Sequence, residues 1–318
     1  MRVLFVGYRD ANHSSAGGYD RIIGCPNSNY ILGEDLPFGF IPVGRRGKFL
    51  NLFFLNLYAK FYLSKYDIVH FFYGEMLRSY KRDKRCKIVA TIHMRVDADK
   101  RPKQIEYLRK ADGVITLSSH QAEELRLLYG INACFIPHGF HEPSFRYKQI
   151  ITSIDKVNVI VSGKNYRDKD TLFKIIDFCE KHRKDIFFHL LGQTSDIKEA
   201  LADKLNAYCY PRLCDDDYFS VISDADYNFL PLTYATANNA LLEASFLGVR
   251  SILPRINGIM DYAAPEPLNM FYNNNDELIQ IFNSLGKKDY DGKAVKNYAQ
   301  RFLWSSVYKQ LLSFYETL

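Results

Sequence analysis

Paired cysteine motifs are absent from this sequence, and their absence narrows the class of protein. The six cysteines form no CxxC pair, and several lie in apolar runs where cysteine behaves as a small hydrophobic residue. We therefore expect reduced cysteines inside a cytoplasmic protein. The chain begins MRVLFVGY, without an apolar signal core or a small-residue cleavage site, so secretion is not expected.

Other absent sequence patterns argue against several classes of protein. No apolar run reaches the length needed to cross a bilayer. The absence of GxGxxG argues against a dinucleotide-dependent oxidoreductase, and without GxSxG or another nucleophile motif no Ser-His-Asp or Cys-His site is indicated. Neither low-complexity segments nor repeats of solenoid length occur, so we expect an ordered, non-repetitive fold.

What is present indicates a two-domain α/β protein. The chain has 318 residues, 47% of them hydrophobic and 25% charged, a length that favours two domains over one. Strand-like runs alternate with helical ones, which predicts parallel sheets. The predicted strands are 3–6, 67–72, 87–92 and 113–117 in the first half, and 157–161, 186–191, 206–210, 227–232 and 249–253 in the second.

A polar connector at 144–156 separates the two halves, so we place an N-terminal Rossmann-like domain at 1–145 and a second at 146–318. Helices are predicted at 169–181, 218–225 and 240–247. In sheets of this kind ligands bind beyond the carboxyl ends of the strands. We therefore expect two facing domains with a ligand-binding cleft between them.

The stretch 227–258 carries the strongest functional signal. It reads as a buried strand, a loop of small and polar residues, a helix and another strand. A helix start built from small residues leaves backbone N–H groups open to an anion, and the helix carries one carboxylate, Glu243. The alternative is an ordinary αβ unit that binds nothing. The candidate residues at the helix start are Thr236, Ala237, Asn238, Asn239 and Ala240.

Two further loops follow strand-like runs. After 157–161 come Gly163, Lys164 and Arg167, a tight turn with two cations that suit a diphosphate; the alternative is that both are solvated surface charges. After the first strand, Gly17 and Gly18 let the backbone approach a ligand closely, although a Gly-Gly pair is a weak signal alone.

Among the eight histidines His93 is the best catalytic candidate, because it closes the run KIVATIH and so lies at the carboxyl end of a predicted strand. A structural role is the alternative. The three aspartates at 215–217 invite a metal interpretation. We interpret them instead as acidic residues at a helix start, where they complement the helix dipole.

The net charge of +6 is unevenly distributed. Arg45, Arg46 and Lys48 precede the aromatic segment 48–66, and 78–87 is densely basic. No nucleic-acid-binding motif accompanies the charge, so nucleic acid is not an expected partner. The segment 48–66 has Phe, Leu and Tyr at helical spacing with interspersed lysines, which suits an anionic membrane surface or a core helix, and one helix can serve both.

Taken in order, these features resemble the GT-B glycosyltransferases, specifically the retaining family 4 group. The resemblance spans nearly the whole chain. It rests on Gly17-Gly18, on TIH ending at His93, on ADGVITLSSHQAEEL from position 111 and FIPHGF from 135, on Gly163-Lys164 with Arg167, on NALLEASFLGVRSILPRINGI from 239, and on a closing helix at 302–318.

The resemblance implies transfer of a sugar, with retention, from a UDP- or GDP-sugar to a saccharide or lipid-linked acceptor during synthesis of a cell-surface polysaccharide or glycoconjugate. It implies that Lys164 and Arg167 hold the donor diphosphate with the helix start at 236–240, that Glu243 contacts the ribose, and that His93 lies beside the donor sugar. No metal or other cofactor is implied. The closing helix is implied to pack back across both domains. From the cysteines and the segment 48–66 we expect a cytoplasmic protein, either free or peripheral on the inner face of the membrane.

The sequence departs from the family pattern at the glutamate motif and in the loop after 157–161, which is shorter than in the family and has Arg167 in place of the usual lysine. The first glutamate of the family's paired-glutamate motif falls on Ala235, and the family's Gly-Arg pair reads Gly163-Lys164. The alanine at position 235 leaves the identity of the donor sugar undetermined. Two alternative functions follow: a nucleotide-sugar epimerase or sugar phosphorylase on the same fold, and a catalytically silent nucleotide-binding protein.

Overall fold

The structure is a computed structural model, and it describes residues 1–9, 14–35, 53–55, 57, 59–78, 80, 86–97 and 103–318. Contacts between residues divide the chain into two compact units. Unit 1 comprises Met1–His13, Gly17–Phe140 and Phe302–Leu318; unit 2 comprises Ser14–Ala16 and His141–Arg301.

Unit 1 is built on a parallel sheet, which has six strands in the described part of the chain. The strand order is β2-β1-β3-β4-β5-β6. The strands are β1 Val3–Gly7, β2 Ser28–Leu32, β3 Ile68–Phe71, β4 Lys87–Ile92, β5 Gly113–Thr116 and β6 Ala133–Phe135. Two helices of the unit are α1 Lys103–Leu108 and α2 Ser119–Tyr129. The α2 helix ends at Gly130, whose φ of +61° is the left-handed conformation that glycine adopts without strain.

Unit 2 repeats the plan with a second parallel sheet, again of six described strands, in the order β12-β11-β10-β7-β8-β9. The strands are β7 Val157–Ser162, β8 Ile186–Leu191, β9 Ala207–Cys209, β10 Tyr227–Phe229, β11 Arg250–Pro254 and β12 Met270–Tyr272. The helices are α3 Lys169–His182, α4 Ser195–Ala200, α5 Asp215–Asp224, α6 Asn239–Phe246, α7 Asn257–Met260, α8 Asn275–Ser284 and α9 Gly292–Ala299.

The central strands of both sheets are formed by continuous runs of buried residues. All six residues of β7 and all four of β3 are buried, as expected when helices cover both faces of a parallel sheet. Side-chain caps define where several helices begin. Asp168 accepts the N–H of Thr171 at the start of α3, and Asn274 accepts that of Glu277 at the start of α8.

The last helix, α10 Trp304–Glu316, packs within unit 1. Trp304 is 2% exposed and lies over Gly139, where a side chain would collide with the indole ring. Further along the helix, Tyr315 hydrogen-bonds to His70 of β3. The sequence places this helix in the C-terminal domain, but its aromatic side chains pack with the N-terminal sheet.

The predicted fold class, two Rossmann-like α/β domains with parallel sheets, is confirmed. Each of the nine predicted strands overlaps an observed one, although β10 stops three residues before its predicted end at 232. Sequence reasoning missed β2, β6 and β12. These strands are short or half-exposed and lie at sheet edges, so their hydrophobic signal is weak. Among the described helices, none combines the length and apolar character needed to span a bilayer.

Several residues of the predicted basic and membrane-facing segments lie outside the described residues, among them Arg45, Arg46, Lys48 and most of 79–85. Within 53–61, the described Phe53, Leu57 and Phe61 are exposed by 45%, 44% and 73%, whereas Leu55 and Ala59 are buried. This stretch therefore presents one apolar face inward and another outward.

Candidate functional site

The loop after β7 is the first part of the candidate site in unit 2. Gly163 has a φ of +79°, a conformation in which any other residue would be strained. Gly163 and Lys164 are both exposed. Within the part of the chain that the structure describes, neither the ammonium group nor the backbone N–H of Lys164 has an ion-pair or hydrogen-bond partner.

Arg167, the second predicted cation, is buried at the base of this loop. Its Nη1 donates to the carbonyl of Pro231 (3.3 Å), and its Nη2 donates to the carbonyls of Ser162 and Gly163, the latter at 2.9 Å. Burial lowers the pKa of the guanidinium to about 10, and the group remains charged at neutral pH. The guanidinium thus holds the backbone of the loop; direct contact with a diphosphate stays a prediction.

Gln193 lies in the candidate site, and sequence reasoning did not select it. It follows Gly192 just beyond the end of β8 and is 7% exposed. Its Nε2 lies within hydrogen-bond distance of the carbonyls of Val161 (2.9 Å), Leu191 (3.0 Å) and Gly163 (3.2 Å). A glutamine directly after a strand and a glycine was the available signal, but its partners come from a neighbouring strand and loop.

The N-terminus of α6 is the second part of the candidate site. Asn238 caps the helix by accepting the N–H of Leu241 (3.0 Å). The N–H of Ala240 has no hydrogen-bond partner among the described residues. A Cβ built on Gly163 would lie 4.0 Å from that of Ala240, so the structure brings the predicted loop and helix start together. Thr236 is buried, and the half-buried members are Ala237, Asn238 and Asn239.

Glu243, on α6, is 4% exposed, and each of its carboxylate oxygens accepts one hydrogen bond. Ser14 Oγ donates to Oε1 and Tyr218 OH donates to Oε2, both at 2.6 Å. Burial raises the pKa of this carboxyl to about 7, although the two donors partly offset the shift. Sequence reasoning selected Glu243 but did not identify its partners, which lie 229 and 25 residues away in the chain.

Ala235, which replaces the first glutamate of the family motif, is 5% exposed. The chain at Gly258 passes very close: a Cβ there would lie 1.9 Å from the Ala235 carbonyl oxygen. Gly258 is therefore required by this close approach of two backbone segments.

The remaining candidates lie in unit 1. Gly17 and Gly18 are buried, and a Cβ on Gly18 would lie 2.2 Å from the Asp20 carboxylate. The adjacent Tyr19 ring packs edge-on against His93, with centroids 4.4 Å apart. His93 is half-buried, and its Nε2–H donates to the Phe72 carbonyl (2.9 Å), which sets the orientation of the ring. The structure thus brings the glycine pair and His93 to one place.

Beneath this group runs a buried chain of polar side chains. Tyr19 OH and Thr91 Oγ1 are 2.7 Å apart, and Thr91 Oγ1 is also 2.7 Å from His70 Nε2. His70 Nδ1 lies 2.6 Å from Tyr315 OH. Burial lowers the pKa of His70 to about 3, so its imidazole is neutral at physiological pH.

The three aspartates at 215–217 occupy the first turn of α5, which confirms the helix-start interpretation. They also hold other chain segments: Asp215 accepts the N–H of Ser15, Asp216 that of Arg146, and Asp217 pairs with Lys148 at 2.7 Å. Within the described residues, no group of three or more His, Cys, Asp or Glu side chains has metal-binding geometry.

Comparison with known proteins agrees with this architecture. Residues 11–142 match the family model described as Glycosyltransferase Family 4. No curated protein matches the chain by sequence. Among solved structures, the apo form of the lipopolysaccharide outer core galactosyltransferase WaaB is 15% identical, with a TM-score of 0.70 and full coverage of both chains.

Two further solved structures have the same fold. Anabaena HepE in complex with UDP-glucose is 13% identical, with a TM-score of 0.72 and full coverage of both chains. Sucrose-phosphate synthase from Thermosynechococcus elongatus is 16% identical, with a TM-score of 0.70. The match covers 99% of this chain and 88% of the synthase chain. The chain thus has the GT-B fold of glycosyltransferases, and 11–142 match the family 4 model.

Proposed function

We propose that this chain is a retaining glycosyltransferase that moves a sugar from a nucleoside diphosphate sugar to an acceptor hydroxyl. The observation that carries the proposal is the exposed Gly163-Lys164 loop beside the N-terminus of α6. An ammonium group, a helix N-terminus at which the Ala240 N–H has no partner among the described residues, and a glycine that admits close approach together suit a diphosphate.

The donor that we propose is a UDP- or GDP-sugar. Support comes from the fold, since HepE, which shares it, was solved in complex with UDP and with UDP-glucose. Lys164, Arg167 and the helix start at 236–240 offset the charge of the departing diphosphate, so the proposal requires no metal ion. Glu243 is assigned to the nucleotide ribose, because a buried carboxylate at this point of α6 can accept hydroxyl hydrogens.

His93 is assigned to the reacting centre by the family resemblance, with Gly17 and Gly18 providing close backbone approach. In a retaining transfer the sugar–phosphate bond breaks, the diphosphate leaves, and the acceptor oxygen bonds to the same face of the sugar. The acceptor proton passes to the departing diphosphate. His93 suits a place beside this centre, because the Phe72 carbonyl holds its Nε2–H and the imidazole is oriented in advance.

The acceptor that we propose is a saccharide or a lipid-linked saccharide of a cell-surface polysaccharide or glycoconjugate. The exposed Phe53, Leu57 and Phe61 lie at helical spacing with Lys60 and Lys65 nearby, an arrangement that suits an anionic membrane surface. We therefore propose a cytoplasmic protein that docks on the inner face of the membrane.

Ala235 supports a second candidate, a catalytically silent nucleotide-binding protein. An alanine cannot replace the hydrogen bonds of a carboxylate to the donor sugar. Loss of this carboxylate leaves the diphosphate and ribose contacts in place, so nucleotide binding would persist without transfer.

The first test is a thermal-shift screen of purified protein with UDP-, GDP-, ADP- and CMP-sugars. A ligand that binds the folded state raises the unfolding temperature by mass action. We expect one nucleotide class to stabilise the protein, and silence across all four would contradict the proposal. Donor turnover would then exclude the silent protein, and a requirement for acceptor would exclude an epimerase.

A further inference from the structure

The backbone carbonyl of Gly163 receives two hydrogen-bond donors from two side chains of unit 2. Arg167 Nη2 lies 2.9 Å from this oxygen and Gln193 Nε2 lies 3.2 Å from it. Arg167 and Gln193 are only 8% and 7% exposed, so both donors are held in place by the surrounding structure. They approach from two different loops, since Arg167 follows β7 and Gln193 follows β8.

The same two side chains link three strand ends. Gln193 Nε2 also contacts the carbonyls of Val161 and Leu191, and Arg167 Nη1 contacts that of Pro231, beyond β10. The loop at Gly163 is therefore anchored to both of its neighbouring strands. An exposed glycine with positive φ would otherwise be among the most flexible points of the chain.

The geometry of the Gly163–Lys164 peptide links this anchoring to the direction of the Lys164 N–H. In a trans peptide the C=O of one residue and the N–H of the next point in opposite directions. Because the Gly163 carbonyl points at Arg167 and Gln193, the N–H of Lys164 points away from both, on the exposed side of the loop. This N–H has no partner among the described residues. Its direction is fixed by side chains that do not themselves reach solvent.

We propose that Gln193, together with Arg167, is a positioning residue that turns the Gly163–Lys164 peptide so that the Lys164 N–H binds the donor diphosphate. This inference rests on the proposed function. Backbone N–H groups of fixed direction bind phosphate oxygens well, because no reorganisation accompanies binding. Arg167 then contributes through the peptide and through its charge, which lies below the loop.

The test is the substitution Gln193→Met, which keeps side-chain length and removes the amide donors. We expect the affinity for the diphosphate form of the preferred nucleotide to fall about tenfold, as for one lost charge-assisted hydrogen bond, while affinity for the nucleoside stays unchanged. UDP with uridine, and GDP with guanosine, are the probes, with binding measured by calorimetry. A merely structural role would weaken both ligands or neither.

The matched control is Asn206→Leu, another buried amide of unit 2, whose Nδ2 donates to the Ile176 carbonyl (3.0 Å). Its loss should lower stability without changing the ratio of the two affinities. Arg167→Met and the double variant complete a cycle. Since both donors act on one carbonyl, we expect the second substitution to cost less when the first is present.

Three outcomes separate the hypotheses. If wild-type protein binds the diphosphate and Gln193→Met keeps the full preference for it over the nucleoside, the inference is wrong and the proposed function stands. If wild-type protein binds neither UDP, GDP, ADP nor CDP, the proposed function fails, and this inference fails with it. If the preference for the diphosphate over the nucleoside is lost in Gln193→Met but kept in Asn206→Leu, the result supports both the inference and the proposed function.

Discussion

The two units have similar sheets but use buried polar side chains differently at their candidate sites. In unit 1, His70 hydrogen-bonds to Thr91 and Tyr315 and so joins the sheet to α10. In unit 2, Arg167 and Gln193 donate to backbone carbonyls and shape an exposed loop. The first arrangement stabilises packing, and the second, by our proposal, prepares a binding surface. Substitutions should therefore separate stability from affinity.

The largest stability effect is expected for His70→Phe. The change keeps an aromatic ring but leaves the buried hydroxyls of Thr91 and Tyr315 short of a partner, at a cost of about 3 kcal/mol in the free energy of unfolding. Trp304, the only tryptophan of the chain, is buried in unit 1, so its fluorescence during urea unfolding reports on this unit.

Tyr315→Phe removes only the last hydroxyl of the same chain and should cost about 1 kcal/mol. Neither variant should change nucleotide affinity. An unchanged fluorescence midpoint in His70→Phe would show that the buried polar chain does not stabilise unit 1.

The next largest effect is expected for His93→Ala. If His93 acts at the reacting centre, its loss should lower kcat about 100-fold with little change in stability. His120→Ala, an exposed histidine of the same unit, is the control and should retain full activity. Full activity of His93→Ala would leave the histidine with a structural role only.

Lys164→Ala should affect binding and leave stability unchanged, because the side chain is exposed and unpaired within the described residues. Loss of a charge-assisted contact should weaken the binding of the nucleoside diphosphate by about 2 kcal/mol, or roughly 30-fold. Lys174→Ala, an exposed lysine on α3, is the matched control. Equal affinity of the two variants would remove the diphosphate assignment of Lys164.

The last expected effect is a pH dependence of stability that arises from Glu243. Its pKa rises from 4.5 to about 7 on folding, so the folded state binds the proton more tightly and stability falls as pH rises through this range. Ser14 and Tyr218 face the carboxyl as donors, and Asp215 is the nearby charge. We expect Glu243→Gln to gain about 2 kcal/mol relative to wild type between pH 5 and pH 8.

The readout is the difference between wild type and Glu243→Gln in urea unfolding, followed by far-ultraviolet circular dichroism. Burial lowers the pKa of His189, also in unit 2, to about 4, and this titration opposes that of Glu243 but is common to both proteins. A difference that stays constant from pH 5 to pH 8 would contradict a raised pKa for Glu243.

Much of the fold was predictable because its signal is local. The run VNVIVS is buried along its whole length and KIVATI at every residue after the first, and sequence alone identifies both as central strands. The start of α6 was equally visible, since small residues and an Asn cap lie next to each other in the chain. The edge strand β12, three residues long, carries too little local pattern to be recognised.

The candidate site was predictable in its residues but not in their roles. Lys164 and Arg167 are both cations of one loop in the sequence, yet Lys164 is exposed to solvent and Arg167 is buried beneath the loop. Gln193 has no motif, because its importance comes from carbonyls of other strands. Composition does not report which cation faces outward; only the packing of neighbouring strand ends sets that direction.

By itself, the sequence determined the alternation of strands and helices, the glycine turn after β7 and the helix start at α6, because these follow from neighbouring residues and backbone preferences. Only the tertiary structure decided that Ser14 and Tyr218 hold Glu243, that α10 packs with unit 1, and that two donors converge on the Gly163 carbonyl. Each of these contacts joins residues distant in the chain, and its geometry exists only once the core has closed.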